Sequence, residues 1–174
     1  MPMKKPPKPA ATSPFTSQIS TLISRDCEEC QGSGQADGDQ CQCVWEYRNR
    51  VAAAGFPSRF HESDLASLDW ERYADPEAIR GVREYAERFE AFFEQGLGLW
   101  LYGPVGTGKT HLAIRIGKLA CALGACSGFI NVPSWLEELR STFDDKQVHS
   151  PSAERLKHLE YAVRERQRTL LILD

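Results

Sequence analysis

The spacing of apolar residues along this 174-residue chain changes from helix-like to strand-like and back. Between residues 79 and 92, apolar side chains recur at steps of three and four, which predicts an amphipathic helix. Asp75 can cap its start, Pro76 fits its first turn, and Gly96 can end it. One long helix is therefore predicted between Asp75 and Gly96.

Three short apolar runs follow, each of the length and composition expected of a buried strand. They are LGLWLY at 97–102, GFINV at 128–132, which Pro133 ends, and TLLILD at 169–174. Helical patterns separate them, over 111–124, 135–143 and 152–167, and Ser134 with Glu137 forms a predicted capping box for the second. Alternation of strands and helices predicts an α/β fold with a largely parallel sheet.

The chain before residue 76 has a different character. Residues 1–24 are rich in proline and lysine and predict a disordered tail. No apolar core follows the lysines, so this tail is not a secretory signal. Residues 25–50 contain four cysteines and few apolar side chains, and residues 51–75 form a predicted connector with scattered aromatic residues.

Composition narrows the classes of function. Hydrophobic residues make up 41% and charged residues 26% of the chain, as in soluble globular proteins, and no apolar run approaches the length of a membrane span. A net charge of −3 gives no overall electrostatic attraction to nucleic acid. Six cysteines without an export signal favour a cytoplasmic, reducing location in which metal ligation is more common than disulfides.

A glycine-rich loop carries the strongest functional signal. The sequence GPVGTGKT, between a predicted strand and a predicted helix, matches the phosphate-binding loop of nucleotide hydrolases. Its glycines let backbone amides converge on phosphates, while Lys109 bridges the terminal phosphates and Thr110 binds Mg²⁺. The predicted ATP-binding residues are Gly103, Pro104, Val105, Gly106, Thr107, Gly108, Lys109 and Thr110.

The predicted strand TLLILD carries an acidic residue at its carboxyl end. In phosphate-loop proteins an aspartate in this position holds Mg²⁺. Asp174 is therefore predicted, with Thr110, as a magnesium-binding residue.

The four amino-terminal cysteines have the spacing C-x₂-C-x₁₀-C-x-C. This pattern predicts a structural Zn²⁺ site with four sulfur ligands, since a C-x₂-C turn presents two sulfurs together. Two disulfides or four free thiols remain alternatives. The predicted zinc ligands are Cys27, Cys30, Cys41 and Cys43, whereas Cys121 and Cys126 are predicted to be small buried residues and the four histidines form no constellation.

With these motifs, residues 27–174 resemble the DnaC/DnaI-type replicative helicase loaders and their IstB-like relatives among the AAA+ ATPases. The resemblance is carried by CEECQGSGQ…CQC, AGFPSRFHESDL, LWLYGPVGTGKTHLAIRIG, NVPSWLEELRSTF and LLILD. It implies ATP and Mg²⁺ as cofactors, a cysteine module that contacts a partner, and a connector in which Phe60 lies near the base. Implied partners are a replicative DNA helicase, single-stranded DNA and further copies of the chain, with no membrane.

The resemblance also implies residues beyond Asp174. Family members continue with a second acidic residue, sensors, an arginine finger and a helical region, so catalytic residues are expected after Asp174. The family's sheet order, 5-1-4-3-2, places a later strand between the strand before the glycine loop and TLLILD. We therefore expect residues 76–174 to be the first part of an AAA+ domain, in a chain that alone does not hydrolyse ATP.

Three functions remain open. The first is an ATP-dependent replicative helicase loader, the second is an IstB-like transposition helper, and the third is a zinc-dependent partner-binding module with a vestigial ATPase half. Any DNA contact is expected to be weak and sensitive to salt. The candidate DNA-binding surface comprises Arg155, Lys157, Arg164, Arg166 and Arg168. A solvated helix face, on which glutamates balance these charges, is an equally good explanation for the same residues.

Overall fold

The computed structural model describes residues 27–31, 33–60, 76–144 and 150–174. The predicted tail at 1–24 and most of the predicted connector, 61–75, lie outside these residues. The helices are α1 (Gln42–Ala53), α2 (Pro76–Glu87), α3 (Phe89–Glu94), α4 (Lys109–Ala122), α5 (Val132–Asp144) and α6 (Pro151–Arg164), with a 3₁₀ turn at Ser58–Phe60. The strands are β1 (Gln35–Ala36), β2 (Asp39–Gln40), β3 (Cys126–Ile130) and β4 (Thr169–Leu173).

Strands β3 and β4 form a parallel pair in which Cys126 lies opposite Thr169 and Ile130 lies opposite Leu173. These are the second and third of the predicted strands, and their pairing agrees with the expected sheet order. Because both strands run in the same direction, their carboxyl ends meet at one edge. That edge holds Asp174, whose backbone N–H donates to the Ile130 carbonyl at 3.0 Å.

Helix α4 is the centre of the packing, as its buried residues on several sides show. One cluster joins α4 to helices α2 and α3 and includes Tyr85, Phe89 and Ile116. A second joins it to α1 and both strands and includes Phe56, Ile114 and Phe129. Burial of apolar area at about 25 cal/mol per Å² makes these two clusters the main stabilising contribution.

Helix α6 covers the other face of the sheet. Side chains alternate along β3, so that Phe129 points into the cluster that joins α4 to α1, while Gly128 faces Leu159 of α6. The helix, sheet and helix layers are those expected of an α/β domain. Within the described ranges, none of the helices combines the length and the apolar composition that a membrane-spanning segment needs.

Helix α1 connects the cysteine-rich segment to the α/β layers. Its first turn follows Cys41, and its buried residues are Val44 and Tyr47. The predicted boundary at residue 50 falls inside this helix, which continues to Ala53. Sequence patterning did not identify α1, since its apolar positions are few and lie among polar and charged residues.

The predicted strand at 97–102 forms no ladder among the described residues. Leu99 and Leu101 pack against the cluster that joins α4 to α2 and α3, whereas Trp100 and Tyr102 are 85% and 86% exposed. The residues therefore alternate as in a strand, but a ladder also needs a neighbouring strand to exchange hydrogen bonds with. In the expected sheet order 5-1-4-3-2 this segment and β4 are not neighbours, so the absence of a ladder between them agrees with that expectation.

Two helix boundaries also differ from prediction. The helix predicted up to Gly96 is interrupted at Arg88, where φ is −109° and ψ is 23°. The apolar spacing continues across the break because Tyr85 and Phe89 bury the same face.

At α5 the Asn131 side chain, and not Ser134, is the cap: its Oδ1 accepts from the Ser134 backbone N–H at 3.1 Å. Asparagine reaches the third amide after it as well as serine does.

Candidate functional site

The glycine loop adopts backbone angles that favour glycine. The φ angles of Gly103, Gly106 and Gly108 are 139°, 84° and 85°. A Cβ atom strains such angles, so this segment needs glycine at each of the three positions. At Gly106 no heavy atom lies within 4 Å of an added Cβ, so the requirement there comes from backbone angle and not from crowding.

Helix α4 begins directly after this loop. Lys109 is its first residue, and Gly108 provides the left-handed turn that leads into it. The first amides of a helix have no intrahelical acceptor, and together with the helix dipole they attract anions. The loop and helix start therefore form a cradle suited to phosphate groups.

The Lys109 side chain folds back over this loop. Its Nζ donates to the Pro104 carbonyl at 2.6 Å and to Thr107 Oγ1 at 3.3 Å. Thr107 Oγ1 in turn donates to the Pro104 carbonyl at 3.0 Å. The ammonium thus lies among neutral oxygens of the loop, and a polyphosphate would offer it stronger, charge-assisted acceptors.

Thr110 and Asp174 meet although 64 residues separate them in the chain. Thr110 Oγ1 donates to Asp174 Oδ1 at 2.5 Å. Hydroxyl and carboxylate oxygens are ligands of the kind that Mg²⁺ prefers, and the hydrogen bond between them is exposed to solvent. The two residues predicted to bind magnesium are therefore brought together.

A second group beside the loop contains His111 and Arg115, which were not identified from the sequence, and Phe60, for which the resemblance implied a position near the base. His111 Nε2 accepts from Arg115 Nε at 3.1 Å, and the His111 ring lies 5.4 Å from the Phe60 ring. Burial, followed by the charges of Arg115 and Lys118, holds the pKa of His111 below its usual value, so the ring is neutral near pH 7. The i, i+4 spacing of His111 and Arg115 signals their contact, whereas the approach of Phe60 is a tertiary feature.

The four amino-terminal cysteines converge. The Sγ atoms of Cys27 and Cys41 are 3.7 Å apart, those of Cys30 and Cys43 are 3.8 Å apart, and all four lie within 4.8 Å of one another. Disulfide sulfurs are about 2.05 Å apart, which these distances exceed. A tetrahedral Zn²⁺ with Zn–S bonds of about 2.3 Å places its sulfurs about 3.8 Å apart. The residues present therefore fit a four-thiolate zinc site.

Burial raises the pKa of the Cys41 thiol, and burial together with the neighbouring thiols raises that of Cys43. Thiolates so close together repel one another unless a cation compensates them. A bound Zn²⁺ would supply this charge, so metal binding at this cluster would release protons.

Local turns present these sulfurs. The Gln31 N–H donates to the Cys27 carbonyl at 2.9 Å, which closes the C-x₂-C turn. Between the two cysteine pairs, β1 and β2 form a hairpin whose two-residue turn is Asp37-Gly38, with φ of 53° and 81°. Asp-Gly is a strong signal for such a turn. The sequence analysis expected only a polar loop here, although that signal was present.

The remaining candidate residues do not form one site. Cys121 is fully buried, and the Cys126 thiol donates to Gln167 at 3.1 Å. His158 is exposed, and His61 and His149 lie outside the described residues.

The predicted basic surface is divided among separate contacts. Arg164 pairs with Glu160 at 2.6 Å, as in the solvated-face alternative. Arg168 lies 3.5 Å from Glu90 and stacks on Phe93, while the Arg155 side chain lies against Gly55. Two of the five basic residues are thus engaged in packing between elements.

Comparison with known proteins gives one family. The family described as IstB-like ATP-binding protein matches residues 44–164, which include the glycine loop and most of the α/β layers. The four clustered cysteines and Asp174 lie outside the matched residues. No curated protein matches the chain.

Proposed function

Because the chain belongs to the IstB-like ATP-binding protein family, we propose that it binds Mg²⁺-ATP and acts as a loader of a replicative DNA helicase. The observation that carries the nucleotide part is the contact between Thr110 and Asp174 at the start of α4. It brings two oxygen ligands to the place where the helix dipole and the loop amides favour phosphate.

Each residue of the site then has a role. The loop amides between Gly103 and Gly108 cradle the phosphates, and Lys109 exchanges its contact with the Pro104 carbonyl for phosphate oxygens. Thr110 and Asp174 hold Mg²⁺, directly or through water. Magnesium bound there would neutralise charge on the terminal phosphates.

The loader function is supported by the cysteine module, which would fold around Zn²⁺ and provide a partner-binding surface on the ATPase. In this proposal the partner is a helicase, the protein assembles with copies of itself, and the assembly contacts single-stranded DNA. The DNA contact is weak in one copy, because only part of the basic surface is free of internal pairing. Its affinity should fall steeply with salt.

A second candidate is an IstB-like transposition helper, with which the family match agrees equally well. It uses the same nucleotide site and differs in its partner. Affinity purification from the native host separates the two: recovery of a helicase hexamer supports the loader, and recovery of a transposase supports the helper. A partner bound equally well by a nucleotide-binding variant and the wild type would favour the third candidate, a binding module with a vestigial ATPase half.

The nucleotide part is tested by titration with a fluorescent ATP analogue in the presence of Mg²⁺. Lys109→Ala removes the ammonium over the loop, and because a hydrogen bond to a charged group contributes about 1.5–3 kcal/mol, the dissociation constant should rise roughly tenfold or more. Lys157→Ala, at an exposed lysine on α6, is the matched control and should bind as the wild type does. Wild-type affinity in Lys109→Ala would show that this loop is not the phosphate site.

A further inference from the structure

Residues 50–60 form a continuous path between the cysteine cluster and the glycine loop. Cys41 and Cys43 lie at the amino end of helix α1. Residues 50–60, which start in the last turn of this helix, run along α4 to its first turn. Since α4 carries Lys109 and Thr110, this path joins the predicted metal site to the predicted phosphate site.

The first contacts of the path are at the carboxyl end of α4. Arg50 Nε donates to the Cys121 carbonyl at 3.0 Å, which satisfies an acceptor in the last turn of that helix. Four residues later, the Ala54 carbonyl accepts from the Phe129 N–H of β3 at 2.9 Å. The end of α1 is therefore fixed to α4 by the Arg50 side chain and to the sheet by the Ala54 carbonyl.

The next contacts reach the amino end of α4. The Phe56 ring fills the space over Gly117, where an added Cβ would lie 2.8 Å from it. Lys118 Nζ donates to the Phe60 carbonyl at 2.6 Å. The Phe60 ring then packs against His111, the residue directly after Thr110. The path thus contacts α4 along its length.

We propose that metal binding at the four cysteines and nucleotide binding at the glycine loop are energetically coupled through residues 50–60, with Arg50 and Phe56 as positioning residues. This inference rests on the proposed nucleotide and zinc sites. The metal fixes the amino end of α1, and α1 holds the path against α4. Loss of the metal would loosen these contacts and weaken nucleotide binding.

The small size of the cysteine-rich segment explains why a bound metal would determine whether the start of α1 is ordered. Isolated helices of about 12 residues are marginally stable in water, and the module offers few apolar residues to bury. In such small segments the free energy of metal binding supplies the free energy of folding. Because coupling between two sites is reciprocal, bound nucleotide must also strengthen metal binding by the same factor.

The first test measures the dissociation constant for an ATP analogue in excess Mg²⁺, for zinc-loaded protein and for protein stripped with a zinc-selective chelator. Magnesium prefers oxygen ligands and leaves the sulfur site empty. We expect affinity to fall about fivefold or more on stripping. Equal affinity of the two forms would overturn the coupling, whereas failure of the zinc-loaded form to bind nucleotide would instead refute the proposed nucleotide site.

A reciprocal test still measures the coupling if the zinc-stripped protein unfolds. Co²⁺, whose thiolate complexes absorb visibly, is titrated into the full chain with and without ATP analogue. Bound nucleotide should tighten Co²⁺ binding by the same factor of about fivefold or more. Phe56→Leu, which weakens packing at Gly117, should reduce this factor, while Trp45→Ala, on the exposed side of α1, should leave it unchanged. Identical Co²⁺ affinity with and without nucleotide would overturn the proposal.

Discussion

Thr110 in the first turn of α4 and Asp174 after β4 share a hydrogen bond of 2.5 Å. One residue follows the glycine loop, and the other ends a strand that pairs with β3 and not with the segment before that loop. The contact exists because the carboxyl edge of the sheet and the amino end of α4 face the same point. We therefore expect magnesium to bind at these two oxygen atoms.

Asp174→Asn should reduce the Mg²⁺ dependence of nucleotide binding, because an amide is a weaker ligand than a carboxylate for a hard cation. Nucleotide affinity measured without Mg²⁺ should stay near that of the wild type. Asp37→Asn, at an exposed turn whose left-handed angle asparagine tolerates, is the control. If Asp174→Asn retained the full magnesium effect, the assignment of this carboxylate would be wrong.

Glu138 ties the start of α6 to α5. Its carboxylate accepts from Ser150 Oγ at 2.6 Å and from the Ser152 N–H and Oγ at 3.1 and 3.0 Å. The Ser150 hydroxyl is the largest cause that holds the pKa of Glu138 below its usual value, against the opposing effect of burial. The folded state therefore binds this proton more weakly than the unfolded state.

The resulting stability is present above the pKa of an unfolded glutamate, about 4.3, and is lost as pH falls through the lower folded value. Glu138→Gln should lower the melting temperature at pH 7 and flatten its decline in acid. Glu137→Gln, at the exposed neighbour, should change neither. Thermal unfolding between pH 3 and 7 is the measurement, and an equal acid response in Glu138→Gln and the wild type would contradict this role.

Arg166 occupies a position that favours glycine. After α6, the Gln167 N–H donates to the Ala162 carbonyl at 2.8 Å and Arg166 has φ of 57°. The same pattern follows α4, where Gly124 has φ of 84° and the Ala125 N–H donates to the Ala120 carbonyl at 2.9 Å. Both are helix ends with a left-handed residue after the last turn.

Arg166→Gly should therefore stabilise the fold by about 0.5–1 kcal/mol, and Gly124→Ala should destabilise it by about 1 kcal/mol. Denaturant unfolding of the two variants beside the wild type measures both signs in one experiment. A loss of stability in Arg166→Gly would mean that the arginine side chain contributes more than its backbone strain costs.

Two glycines are required by close packing. An added Cβ at Gly117 would lie 2.7 Å from Ile172 Cδ1, and one at Gly128 would collide with Leu159 Cδ1. Alanine at either position should destabilise the protein by about 1–3 kcal/mol, since the surrounding core must shift. Gly81 in α2 has no such neighbour, so Gly81→Ala should instead stabilise the helix by up to about 1 kcal/mol. A neutral Gly117→Ala would show that the Phe56 and Ile172 side chains adjust freely.

The local pattern of the sequence determined the elements that depend on neighbours in the chain. The glycine loop, the helix after it, the stop at Gly124 and the two strands that pair are all predicted from spacing and residue type. The last helix was predicted to reach residue 167, whereas α6 ends at Arg164, because an arginine in the left-handed turn at 166 leaves no signature in the sequence. Backbone strain at such a residue is tolerated only when the surrounding packing holds it.

The tertiary structure decided what depends on distant segments. Spacing predicted all four cysteines as ligands of one metal ion, and the structure shows that the hairpin and the start of α1 bring Cys41 and Cys43 within 4.8 Å of Cys27 and Cys30. Likewise, an extended pattern at 97–102 could not establish a ladder, because hydrogen-bond pairing is a property of two strands. The approach of Phe60 to His111 and of Asp174 to Thr110 joins residues separated by 51 and 64 positions, at distances where local sequence periodicity carries no information about contact.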